Sequence, residues 1–169
     1  EMCIRDRFMI MSNQMGPFPE GLQVGLVNIN ERKVLLNFLD HKEMIANNQN
    51  SAYDLKIIAG DKEYVKSMSQ EILSSIPEEF SLGQNYPNPF NPITQMEYSL
   101  PQRSKVVISI YNVLGQEIKS LINKEQDYGY HSVTWDGTDR LGKSVASGVY
   151  FTQMRSGGFS QSKKMLLLK

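Results

Sequence analysis

Three prolines within six positions, Pro87, Pro89 and Pro92 of Asn85-Tyr86-Pro87-Asn88-Pro89-Phe90-Asn91-Pro92, constrain this chain more than any other stretch. Each proline fixes φ near about −65° and removes a backbone donor. The residues before them, Tyr86, Asn88 and Asn91, are driven toward extended geometry. No helix can run through such a segment, so it reads as an extended, turning connector. It also divides the chain. The residues after it alternate like an antiparallel β domain, and those before it are less regular.

At 169 residues the chain can hold one large domain or two small ones, and a hydrophobic content of 40% is enough for a globular core. The formal net charge of +0, with both signs mixed along the chain, argues against a dedicated nucleic-acid surface or a polybasic membrane patch. Cys3 is the single cysteine, so no intrachain disulfide and no cysteine-based metal site is expected. The apolar run Met165-Leu166-Leu167-Leu168 falls far short of the roughly 20 residues of a membrane-spanning helix. The first residue is Glu1, and residues 1–7 (EMCIRDR) read as an artefactual or disordered leader to a fragment.

In the first half, residues 8–15 are apolar and Met-rich and end at Gly16-Pro17. Residues 22–29 and 33–39 read as strands around a turn at 28–32, and residues 40–51 as a polar loop. Residues 53–59 alternate as a strand. Gly60-Asp61 then makes a turn, and residues 63–68 are expected to pair back as a hairpin partner. Residues 8–68 therefore look like the end of a truncated β-rich sandwich, and residues 69–79 like a linker.

The second half has the clearer period. Met96, Tyr98 and Leu100 share one face of a strand; Val106, Ile108 and Ile110 share one face of the next. Asn112-Val113-Leu114-Gly115 is a turn, with Gly115 free to take φ > 0, and residues 116–122 come next with Ile118 inward. Residues 129–135 set His131, Val133 and Trp135 against Tyr130, Ser132 and Thr134. Asp136-Gly137 and Leu141-Gly142-Lys143 are tight turns, and residues 148–154 and 159–168 make a last hairpin about Ser156-Gly157-Gly158. The expectation is an all-β chain ending in an antiparallel sandwich of about seven strands.

Five motifs stand in order in that half: the proline cluster, Ile110-Tyr111-Asn112-Val113-Leu114-Gly115-Gln116, Trp135-Asp136-Gly137, Ser147-Gly148-Val149-Tyr150-Phe151, and Lys164-Met165. In this, residues 80–169 resemble the type A C-terminal sorting domain of the type IX secretion system, related to the immunoglobulin-like domain of flagellar hook-capping proteins. The resemblance implies an immunoglobulin-like sandwich that catalyses nothing. It would address a secreted cargo to an outer-membrane translocon and then meet a surface processing or attachment enzyme. The cargo would cross the periplasm and end secreted or attached at the cell surface, and residues before 80 would be the cargo's end. The address would lie in the last strands, with Gly148, Tyr150, Lys163, Lys164 and Lys169 as its residues. Pro87, Asn88, Pro89, Pro92, Gly115, Trp135, Asp136 and Gly137 would be its structural motif.

The same residues have plainer readings. Trp135 shares a face with His131 and Val133, so core packing is favoured over a sugar-stacking platform. Asp136 and Asp139 lack the ligand spacing and distal glutamate of a calcium loop, and turn chemistry accounts for them. His41 and His131, the only histidines, have no metal spacing. Gly157-Gly158 is too short to cradle a phosphate. Asp54, Asp61 and Glu63 read as a solvated hairpin end rather than an acid/base pair. Lys163, Lys164 and Lys169 frame an apolar run, as charged gatekeepers of a last strand or as handles for strand addition. No cofactor or metal is expected. Two other functions remain open: an immunoglobulin-like adhesin or carbohydrate-binding module retained at the surface, and the non-catalytic tail of a secreted hydrolase.

Overall fold

The computed structural model describes residues 20–35 and 55–169, and the chain divides into two units, residues 1–75 and 76–169. In the first unit β1 (Gln23–Asn28), β2 (Lys33–Leu35) and β3 (Leu55–Gly60) form an antiparallel sheet in the order β2-β1-β3. The expected turn joins β1 to β2: Asn28 Oδ1 accepts from the Glu31 amide at 3.1 Å, and Arg32 takes φ 52°. Residues 1–19 and 36–54, and with them Cys3, His41, Asp54, the leader and the loop at 40–51, lie outside the described residues.

One expectation in this unit is overturned. Residues 63–68 are not a strand, and the linker does not begin at Ser69, because Lys62–Ser75 is a single helix, α1. Asp61 caps it, its Oδ1 accepting from the Tyr64 amide at 2.8 Å. Val65, Met68, Ser69 and Ile72 recur at the i, i+3, i+4, i+7 spacing of one helical face, with Val65 and Ser69 buried. The helix packs on β1 and β3. Arg32 donates to the Leu73 carbonyl at 3.0 Å, where the last turn carries partial negative charge. Among the described residues this sheet is thus covered by a helix, not by the second sheet that a sandwich end would supply. No helix among the described residues is long and apolar enough to cross a membrane.

The second unit is the expected antiparallel sandwich, with seven strands: β4 (Ser81–Leu82), β5 (Thr94–Leu100), β6 (Ser104–Asn112), β7 (Glu117–Gln126), β8 (Gly129–Trp135), β9 (Gly148–Ser156) and β10 (Phe159–Leu167). One sheet runs β10-β9-β6-β7 and the other β4-β5-β8. The period-two rows read from the sequence point inward. Met96, Tyr98 and Leu100 from β5, and Val106, Ile108 and Ile110 from β6, are all buried, and they meet Trp135, Tyr150, Met154, Met165 and Leu167 in one core. The outward row of β5, with Gln95 and Glu97, is polar and exposed, whereas β6 and β9 carry part-buried Val107, Tyr111, Val149 and Phe151 on their outward rows. Gly115 sits at φ +76° in the β6–β7 turn, where Asn112 Oδ1 accepts from the amides of Leu114 and Gln116, each at 3.0 Å. β7 runs past the expected end at Ile122 to Gln126, pairing with β6 through two register shifts.

Candidate functional site

The chain's last strand, β10, lies at the edge of the four-stranded sheet and pairs only with β9. An uncovered edge offers a row of free amides and carbonyls to any passing strand. Here the proline cluster covers half of it. Phe90 donates its amide to the Leu166 carbonyl at 3.0 Å and accepts from the Leu168 amide at 2.9 Å. A run with three prolines cannot supply a full ladder of donors, so side chains complete the clasp. Asn88 Oδ1 accepts from the Leu166 amide at 3.0 Å, and Gln84 Nε2 donates to the Lys164 carbonyl at 2.8 Å. Farther along β10, Gln161 Oε1 accepts from the Leu82 amide at 2.8 Å.

The clasp is itself held in shape. Asn85 is buried, and its Nδ2 donates to the Pro87 carbonyl at 3.0 Å and to Thr94 Oγ1 at 2.9 Å. Thr94 Oγ1 donates in turn to the same Pro87 carbonyl at 2.9 Å. Sequence reasoning assigned no role to Asn85, Gln84 or Thr94.

Trp135 anchors the clasp from within. Its ring lies 5.6 Å from Phe90 and 5.1 Å from Tyr150, centroid to centroid, the second pair edge-to-face. It is fully buried, and its indole Nε1 donates to the Thr138 carbonyl at 2.9 Å. The core reading of Trp135 stands and the sugar-platform reading falls. The turn after it abuts the clasp: Gly137 has φ +69°, and a Cβ there would come within 3.1 Å of the Pro92 carbonyl oxygen. Only glycine satisfies both the left-handed backbone and that approach.

Asp136 closes the turn. Its Oδ1 accepts from Thr138 Oγ1 at 2.6 Å, the Thr138 amide at 3.2 Å and Lys119 Nζ at 3.0 Å. The Thr138 hydroxyl first, then Lys119, hold its carboxyl at about 2, below the ordinary 3.8. A depressed carboxylate stabilises the fold fully above its ordinary value and loses that contribution as pH falls through about 2. Because the side chain is half-exposed, solvent screening limits the effect to about 1 kcal/mol or less. Asp136→Asn is therefore expected to lower stability slightly at pH 7. The gap between variant and parent should close between about pH 4 and pH 2. Denaturant unfolding at both ends of that window checks it, and a gap that persists at pH 2 would refute the assignment.

The proposed address residues do not form one exposed patch. Gly148 pairs with Leu167, and Tyr150 pairs with Met165. Tyr150 is buried, and its hydroxyl donates to the Ala146 carbonyl at 2.8 Å; burial pushes that phenol up from its ordinary value. Lys163 falls on the same row as Met165 and Leu167 and is half-buried, while Lys164 lies on the opposite, exposed row with Leu166. Lys169 is exposed beyond the strand's end. Gly137 lies against Pro92 and Leu167, Trp135 packs on Phe90, and Asn88 and Phe90 bond the strand itself.

Residues 93–158 match the family model described as the FlgD Ig-like domain. A search of curated proteins finds no match. Among solved structures, the chain is similar to PorZ, described as an essential bacterial surface component of the type-IX secretion system of Porphyromonas gingivalis. That similarity has 17% identity and a TM-score of 0.37, over 54% of this chain and 12% of PorZ. It is similar to FlgD from P. aeruginosa at 21% identity and a TM-score of 0.36, over 44% of this chain and 57% of FlgD. It is also similar to dimeric latent PorU from Porphyromonas gingivalis at 15% identity and a TM-score of 0.42, over 89% of this chain and 12% of PorU. The chain spans a small part of PorZ and PorU and just over half of FlgD. The family match lies within the seven-stranded unit, so that part of the antiparallel sandwich is similar to the FlgD Ig-like domain.

Proposed function

We propose that residues 80–169 are a non-catalytic sorting and anchoring module that directs a cargo across the outer membrane by type IX secretion. On this reading the preceding residues are the end of that cargo. The partners are an outer-membrane translocon and a surface processing or attachment enzyme, and the destination is the medium or the cell surface.

The observation that carries the reading is the way β10 is presented. This edge strand is held by Gln84, Asn88 and Phe90 on one half, while Lys164, Leu166 and Leu168 stand in an exposed row. A clasped strand cannot slip register or pair promiscuously, yet its outer row and its uncovered half remain readable by a partner that adds a strand. The order of the five motifs supports the same reading.

The test is a reporter fused to residues 80–169 in a bacterium that has this secretion system. The parent fusion should reach the medium or surface. Lys163→Gln, Lys164→Gln and Lys169→Gln combined should lower export toward background while the melting temperature of the domain holds. Failure of the parent fusion to leave the periplasm would sink the sorting role. Unimpaired export of the triple variant would free the lysines from the address. A mature surface protein that still contains residues 80–169 would favour a retained adhesive module.

A further inference from the structure

The outer face of the three-stranded sheet β4-β5-β8 carries chemistry that sorting does not use. Two tyrosines stand on it, Tyr86 at 83% exposure and Tyr130 at 75%. Tyr130 pairs with Ser99 on β5, and Tyr86 pairs with Gln95 on the same strand. Directly paired residues share a face, so both rings belong to the face of exposed Gln95 and Glu97. Four residues along β5 and one strand to each side place the two tyrosine backbones about 15 Å apart.

Beside Tyr130 lies an open trough of about 460 Å³, lined by Ser81, Gln95, Glu97, Tyr130, His131 and Ser132, among others, with Tyr86 standing outside it. Gly83 forms part of its floor: its amide donates to the Glu97 carbonyl at 2.7 Å, and a Cβ there would lie 3.0 Å from that oxygen. The floor is therefore backbone, flat and low. No lysine or arginine lines the trough, and Glu97 is its one carboxylate. That composition is unsuited to a polyphosphate or an acidic polymer, which need cations. It is also too polar for the apolar centre of a stable protein interface.

We infer that this face binds a neutral glycan chain. The Tyr86 and Tyr130 rings stack on the C–H faces of two sugar rings. Gln95, Glu97 and Ser132 exchange hydrogen bonds with the hydroxyls of the units between. Side chains on paired strands hold these groups at fixed spacing, which suits a repeating, hydroxyl-rich ligand. The inference stands independently of the sorting role, because none of its residues touches the clasp on β10 except through the backbone of the segment at 83–86.

The test is calorimetric titration of the full chain with cellohexaose, xylohexaose and mannohexaose, and with hexagalacturonate as the acidic counterpart. At least one neutral hexasaccharide should bind, and hexagalacturonate should not. Tyr86→Ala and Tyr130→Ala should each weaken that binding about tenfold, about 1.4 kcal/mol. Tyr130→Phe, which keeps the ring, should retain it. Both tyrosines are exposed, so the variants should melt like the parent, and this is read by circular dichroism on the same samples. No binding by any of the three neutral probes, equal binding of hexagalacturonate, or tyrosine variants that bind like the parent would each overturn the inference.

Discussion

Trp135→Ala should abolish cooperative folding of the second unit, or nearly so. The side chain is fully buried between Phe90 and Tyr150. Truncating a buried aromatic to alanine costs about 3–5 kcal/mol. The part-buried Thr138 carbonyl loses its indole donor as well. Domains of this size hold only about 5–15 kcal/mol in total. Phe90 would also lose the ring that seats the clasp, so the effect should spread to β10. Hydrogen-exchange mass spectrometry of the full chain reads this directly. Peptides covering β9 and β10 should lose protection, while Trp135→Phe, which keeps a ring in the core, should retain most of it. Parent-like protection in Trp135→Ala would mean that the core does not depend on this residue.

The sandwich was legible because its inner rows are strict. Met96, Tyr98 and Leu100, then Val106, Ile108 and Ile110, repeat at two without interruption; Pro101 ends the first row and the turn at Gly115 follows the second. β7 was less legible for a physical reason. It is a sheet edge, so Lys124, Glu125 and Gln126 can extend it with no apolar partner to announce them. β4, with two residues, is too short to show any period. Helix α1 was misread because Tyr64-Val65 and Met68 fit a short strand as well as they fit a helix. The deciding signals were Ile72, one turn beyond Met68, and Asp61 at the cap.

The site was legible in parts but not as an assembly. Proline chemistry predicts a segment that cannot form a ladder, and Gly137 a turn with φ > 0. Neither predicts that Asn88 and Gln84 reach β10, 76 to 80 residues away. Contacts at that separation are set by how the sheets stack, and no local pattern encodes them. The parity of the last strand, by contrast, was open to inspection. Lys163, Met165 and Leu167 must share one face and Lys164, Leu166 and Leu168 the other, so the lysines were never going to act as a single cluster. Tyr150 shows the opposite risk: a motif tyrosine that looks available in sequence is part of the core.

Removal of residues 165–169 should unfold the second unit, which decides how an address in the last strand can be tested. Met165 and Leu167 are fully buried, and losing each large apolar side chain from a core costs about 2–5 kcal/mol. Together they approach the whole stability of a small domain. The deletion also removes Leu166 and Leu168, the backbone partners of Phe90, and leaves that ring without its strand. A truncated fusion that fails to leave the cell would thus report a fold defect and say nothing of recognition. Removing Lys169 alone takes no core atom and should leave melting unchanged. Comparing the two truncations by hydrogen exchange at β6 and β9 separates fold from address. Retained protection after loss of residues 165–169 would show that β10 is an appendage rather than the strand that closes the core.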